Sequence, residues 1–188
     1  MALNATICKA EFNVADLDRH YYADHALTVA RHPSETDERM MVRLLAFALH
    51  AHERLEFGRG IGTQDEPDLW QRDLTGRIER WIEVGQPDAR RVRRACGRAD
   101  RVLVYTYGGR AADTWWAGVA AELARCGNLE VIALPHTTTQ PLTALAARVM
   151  DLQLTVQDGD AWVVSGAARF PIERRWLQGG PAREGRQP

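Results

Sequence analysis

Between Glu79 and Tyr107 the sequence reads strand, turn, helix, strand, and no other stretch restricts the fold as much. Glu79-Arg-Trp-Ile-Glu-Val84 has strand alternation, with Ile82 and Val84 on one face and Trp81 and Glu83 on the other, and it stops at Gly85-Gln-Pro87. Pro87 suits the first turn of a helix over Asp88 to Arg98, after which Arg101 to Tyr107, rich in Val, Leu and Tyr, returns as a strand. Such a run places a carboxylate, Glu83, inside a central strand. An unpaired charge there costs several kcal/mol, so Glu83 needs a partner, and either an arginine or a divalent metal would serve.

The flanking segments extend this unit. Leu3 to Val14 and Arg19 to Ala30 read as an antiparallel hairpin turning at Ala15-Asp-Leu-Asp18. His32-Pro33 ends it, Ser34 and Asp37 resemble a capping box, and Met41, Leu44, Leu45, Ala48 and Leu49 recur at helical spacing up to His50. Arg54 to Phe57 and Asp68 to Gln71 are short strands. Helices are predicted over Arg110 to Cys126, with Gly127 as its cap, and over Thr139 to Val149, with Pro141 in its first turn; a strand runs from Asn128 to Leu134 between them. Leu152 to Val156 and Ala161 to Val164 flank an Asp158-Gly159 hairpin turn, and a last strand falls near Arg169 to Ile172. The order predicts an α/β fold: a mixed central sheet flanked by helices, with β-hairpin additions at both ends. No linker divides it, so residues 1–177 are expected as one domain and 178–188, poor in apolar residues, as a disordered tail.

Composition limits what this fold can do. The 188 residues carry 24 Lys+Arg against 25 Asp+Glu, a formal net charge of −1, which excludes a globally basic nucleic-acid coat protein. Three separated cysteines without a CxxC pair argue against a disulfide scaffold or a thiolate zinc site and point to a reducing cytoplasm. No apolar run suits a membrane span, and the first residues lack the pattern of a signal peptide. Lys9 is the single lysine, so a mechanism demanding a catalytic lysine has one candidate, on a remote strand.

Two further acids join Glu83 as candidates. Asp68 opens a strand after Pro67, and Glu38 lies near the apolar stripe of the first helix. Two carboxylates on adjacent strands are what a hard, oxygen-seeking Mg²⁺ requires, although Asp68 alone would suit a solvated loop and Glu38 the positive end of its helix. Arg90, Arg91, Arg93, Arg94, Arg98 and Arg101 form the dense basic cluster, the kind of face that engages phosphates when it is not simply solvated. The histidines show no metal-ligand spacing, and there is no GxSxG elbow, P-loop or dinucleotide fingerprint.

The runs Leu27-Thr-Val-Ala-Arg-His-Pro-Ser-Glu-Thr-Asp-Glu-Arg-Met-Met, Asp65-Glu-Pro-Asp-Leu-Trp and Trp81-Ile-Glu-Val-Gly-Gln-Pro-Asp, with Tyr105-Thr-Tyr and Leu152-Gln-Leu-Thr-Val-Gln-Asp-Gly, resemble the bacterial YaeQ family over about residues 1–165. The resemblance implies a fold like that of the PD-(D/E)XK nuclease superfamily, a restriction-endonuclease-like core, without implying an established activity. It places the "PD" on Pro67-Asp68, the "(D/E)xK" on Glu83-Val84-Gly85, and a helix acid on Glu38, so that Glu38, Asp68 and Glu83 would hold Mg²⁺. The motif lysine is Gly85 here. Gln86 or Arg91 is then the expected substitute beside a scissile phosphate; arginine can stabilise the charge but cannot act as a base. Two readings follow: a divalent-metal-dependent nuclease or phosphodiesterase, or a degenerate nuclease fold binding a protein, or a nucleic acid through Arg90, Arg91, Arg94 and Arg98. Whether the chain is an enzyme turns on the lost lysine.

Overall fold

The computed structural model describes residues 5–59 and 65–180. In chain order the elements are β1 (Thr6–Asp16), β2 (Tyr21–Arg31), α1 (Asp37–Leu49), β3 (Leu55–Phe57), β4 (Leu69–Arg72), β5 (Ile78–Val84), α2 (Ala89–Cys96) and β6 (Ala99–Thr106). There follow α3 (Arg110–Leu123), β7 (Leu129–Ala133), α4 (His136–Ala144), β8 (Val149–Gln157), β9 (Asp160–Ser165), β10 (Ala168–Pro171) and β11 (Arg175–Gln178). No helix among the described residues is long and apolar enough to cross a membrane.

The strands form two mixed sheets, ordered β10-β9-β8-β1-β2 and β11-β7-β6-β5-β4-β3. A single central sheet was the expectation, with the hairpins as additions to it. Instead β1 pairs in parallel with β8, Lys9 opposite Val149 through Asp16 opposite Val156, and this joins the two terminal hairpins into a five-stranded sheet of their own. Alternation along β1 explains the arrangement: Cys8, Ala10, Phe12 and Val14 are buried while Lys9, Glu11 and Asn13 are exposed, so one face needs a partner layer.

That layer is α1. Every residue from Met40 to Leu49 is buried, as befits a helix apolar nearly all round, and its side chains share one core with the inner faces of both sheets. Thr36, not Ser34, is the N-cap, accepting from the Arg39 N–H at 3.1 Å, while Ser34 turns to His32. The other face of the six-stranded sheet, with Trp81, Val102, Val104 and Val131, is covered by α2 and α3 in a second core.

Parallel pairing of β5, β6 and β7 follows from the crossovers through α2 and α3. The last helix differs from expectation: α4 starts at His136 and carries Pro141 inside rather than in its first turn, and residues from Val149 onward are strand. β11 was not foreseen. It pairs with β7, and Gln178, the first residue of the expected tail, is part of it, its amide donating to the Leu123 and Cys126 carbonyls. Residues 181–188 lie outside the described residues.

Candidate functional site

At the C-terminal end of β5 the sheet gathers the predicted acids. β4 and β5 are antiparallel with Leu69 opposite Ile82, so one step further Asp68 comes opposite Glu83. Both carboxylates are buried. Asp68 Oδ2 accepts from the Val84 N–H at 2.7 Å, and Oδ1 accepts from Arg39 Nη2 of α1 at 2.6 Å. Glu83 lies on the opposite face from Ile82; its Oε1 accepts from the Trp81 indole N–H and from Arg91 Nε of α2, both at 2.8 Å. Arg91 reaches on to the Glu66 carbonyl at 2.7 Å, tying α2 to the segment ahead of β4.

The two acids differ in how well they are neutralised. Burial pushes the Glu83 carboxyl above the usual carboxylate range, the hydrogen bond from Arg91 holds it back, and the negative charge of Asp68 adds to the rise. Glu83 Oε2 accepts no hydrogen bond from a described residue. Arg39 is held more firmly protonated: burial opposes its charge, but Asp68 and Glu35 together outweigh that. Tyr107 stands nearby with its hydroxyl pushed up to about 12, chiefly by burial and further by Glu38 and Asp68.

The remaining candidates are placed as follows. Glu38, half-buried in the first turn of α1, makes no hydrogen bond or ion pair with a described residue. Gln86 aims its amide away from Glu83, donating to Thr106 Oγ1 at 3.1 Å and the Tyr107 carbonyl at 2.6 Å. Gly85 adopts φ of +106°, a conformation L side chains rarely take, with open space where a Cβ would project. The glycine at this position is therefore favoured by the backbone itself: a lysine here would fit the space but strain the chain. Of the basic cluster, Arg93 pairs with Glu122, Arg94 with Asp65 and Arg101 with Glu130, and Arg98 lies over the Trp81 ring. Arg90 is exposed with no partner among the described residues; with Asp88, Arg91 and Arg94 it lines a shallow cleft of about 290 Å³.

Mg²⁺ would need carboxylate lone pairs facing a common point. Here both oxygens of Asp68 and one of Glu83 are occupied by N–H donors, and among the described residues no group of three or more His, Cys, Asp or Glu is arranged to hold a metal ion. The donor set in this arrangement does not fit the ion.

Sequence reasoning missed Glu35, Arg39 and Arg43. Glu35 accepts from Arg43 Nε and Nη2, each at 2.7 Å, and from Arg39 Nη1 at 2.8 Å, so one chain of charges runs Arg43, Glu35, Arg39, Asp68. The signal was an arginine at 43 inside Met40-Met41-Val42-Arg43-Leu44-Leu45, a charge in a run that must be buried.

Known proteins resemble this chain closely. A family model described as "YaeQ protein" matches residues 1–174. An uncharacterized YaeQ protein of Salmonella typhi is 50% identical over 179 residues, 95% of this chain and 99% of the relative. One of Escherichia coli (strain K12) is 49% identical over 163 residues, 87% and 90% of the two chains. Among solved structures, that of the YaeQ protein from Xanthomonas axonopodis pv. citri superposes with a TM-score of 0.88 at 49% identity, over 94% of this chain and 99% of the other. The Pseudomonas syringae YaeQ structure gives 0.89 at 38% identity, over 94% and 97%.

Proposed function

The chain belongs to the YaeQ family, and from that premise we propose that it is a nuclease-like fold whose catalytic acids have become an ionic lock, leaving a module that binds nucleic-acid phosphates without cutting them. The parallel β5, β6 and β7 with antiparallel β4 beside them are the restriction-endonuclease-like core in this reading. One observation carries it: Asp68 and Glu83 each hold a guanidinium, Arg39 and Arg91. A guanidinium is permanently charged and cannot deliver a hydroxide, so these pairs neutralise the carboxylates without activating water. The glycine-specific backbone at Gly85 supports the same reading.

Phosphate contacts fall to the cleft of Arg90, Arg91 and Arg94. Arg90 has no partner among the described residues, and Arg94 meets Asp65 only at 3.4 Å with both side chains largely exposed, so a phosphate can displace that acid at small cost. Fluorescence anisotropy with labelled single-stranded and duplex oligonucleotides tests this. Wild type is expected to bind weakly with affinity falling steeply in salt, and Arg90→Glu with Arg94→Glu to lose about tenfold or more. Incubation with Mg²⁺ or Mn²⁺ is expected to yield little or no cleavage. Binding that ignores the charge reversal would leave a protein-binding module. Calorimetric Mn²⁺ binding, together with turnover lost in Asp68→Ala and Glu83→Ala, would restore the metal-dependent phosphodiesterase.

A further inference from the structure

A second site lies between the two sheets, where the C-terminal end of α1 meets the turns of the β1–β2 and β8–β9 hairpins. A cavity of about 510 Å³ opens there, within the ordinary range for small-molecule sites. Leu49, Leu103, Ile132 and Val156 give it apolar walls, and Tyr105 and Trp176 add aromatic ones. Its polar groups come from distant parts of the chain and converge on one space, which is the pattern of a binding site rather than of a packing defect.

Three of the acids on its wall already hold donors. Asp16 holds Arg19 through Nε at 2.6 Å and through the backbone N–H at 3.0 Å. Asp18 accepts from the Asp158 and Gly159 N–H groups at 2.7 and 2.8 Å, and Glu130 takes Arg101 Nη2 at 2.6 Å. Asp158 is exposed on the hairpin turn. The donors, by contrast, are in surplus. Arg174 gives one N–H to the Gly159 carbonyl at 2.7 Å and lies over the Trp176 ring, yet has no carboxylate partner among the described residues. Arg19 Nη2 and the Trp176 indole N–H are buried without an acceptor among the described residues, an arrangement that is costly unless something supplies one.

The floor of the cavity adds a directed hydroxyl. Tyr105 Oη and His50 Nε2 are 2.7 Å apart. Burial, reinforced by Arg80, Arg19, Arg101 and Arg174, keeps His50 uncharged, and burial likewise holds the Tyr105 hydroxyl protonated despite Arg174 nearby. In the tautomer with the hydrogen on Nε2, His50 donates to the tyrosine oxygen and leaves the phenolic hydrogen free to be given to a ligand.

We propose that this cavity binds a small organic monocarboxylate with a flat apolar body, its carboxylate paired with Arg174 and hydrogen-bonded by Tyr105, its body against Leu103, Ile132 and Trp176. A single charge follows from the lining: Arg174 is its one guanidinium without a carboxylate partner among the described residues, and with Asp18 and Asp158 also on the wall a phosphate dianion would bring more negative charge than Arg174 answers. His50 is a positioning residue that orients the Tyr105 hydroxyl.

Titration of the ¹⁵N-labelled full chain with benzoate, followed by NMR at the Trp176 indole resonance assigned through Trp176→Phe, tests the proposal. The resonance is expected to shift saturably with a millimolar Kd, to lose about tenfold or more in Arg174→Ala, and to lose several-fold in Tyr105→Phe. Arg94→Ala, in the cleft proposed for nucleic acid, should bind benzoate as wild type does, so failure of one site is distinguishable from failure of the other. Arg174→Gln, of similar reach without the charge, carries the test if the alanine variant fails to fold. A non-saturable shift, equal Kd in wild type and Arg174→Gln, or phenyl phosphate binding as tightly as benzoate would each overturn the assignment.

Discussion

Glu35 and Glu83 are both buried glutamates gripped by arginine, and they are built to opposite ends. Glu35 has a side chain 1% exposed and faces Arg43 at 3%; both its oxygens are taken in a two-pronged grip, with Arg39 as a second cation. Glu83 is 5% exposed but faces an Arg91 that is 25% exposed, is bonded by the described residues through one oxygen, and sits where its charge is disfavoured. The first is a closed scaffold element whose loss strands buried cations. The second is an adjustable pair at a surface cleft, where solvent can take over from Glu83 at the partly exposed Arg91.

The largest expected effect breaks the closed pair. Glu35→Gln should destabilise by about 3–5 kcal/mol, because Arg43 is left as an uncompensated buried charge; chemical denaturation with an unchanged slope would measure it. Asp68→Asn comes next at about 2 kcal/mol, since Arg39 keeps Glu35 and the Val84 N–H keeps an oxygen acceptor while the charge is lost. A cost for Asp68 exceeding that for Glu35 would reverse the ranking of the two sites.

Gly85→Ala should cost about 1–2 kcal/mol from the positive φ alone, with Gly85→Lys no worse, as the Cβ position is open. Recovery of metal-dependent cleavage by Gly85→Lys would show that the lock at Asp68 and Glu83 opens readily. The smallest effect belongs to Glu83→Gln, expected within about 1 kcal/mol of wild type at neutral pH. Its pH dependence sharpens the contrast. Because the folded Glu83 carboxyl lies above its ordinary value of 4.5, the folded state holds the proton longer, and wild type loses stability relative to the glutamine variant as pH rises from 4.5 through the raised value. Melting curves of both proteins across that window should diverge in this direction, whereas a parallel course would mean that Arg91 fully neutralises the acid.

The sequence carried local periodicity well and cross-element charge poorly. α1, α2, β5 and β6 were legible because apolar spacing, Pro87 and the Val-Leu-Val run at 102–104 each act within a few residues. Asp68 and Glu83 as neighbours were legible too, since adjacent strands bring them together. Their partners were not. Arg39 meets Asp68 across 29 positions, and among 23 arginines no spacing rule selects it. α4 was misplaced because Pro141, read as a first-turn residue, lies in mid-helix, and β11 was missed because four edge residues beside glycines show too short a pattern.

The parallel pairing of β1 with β8 sets a schedule for synthesis. β2 ends at Arg31 and β8 begins at Val149, so on the ribosome the first hairpin emerges with an edge whose mate is still untranslated. At about 5–20 residues per second that edge waits roughly 6–24 s. During that interval Cys8, Ala10, Phe12 and Val14 have β2 on one side but neither β8 on the other nor the complete core beneath them. The charged and polar outer face, Lys9, Glu11 and Asn13, is then the nascent chain's own protection against pairing with another copy emerging nearby.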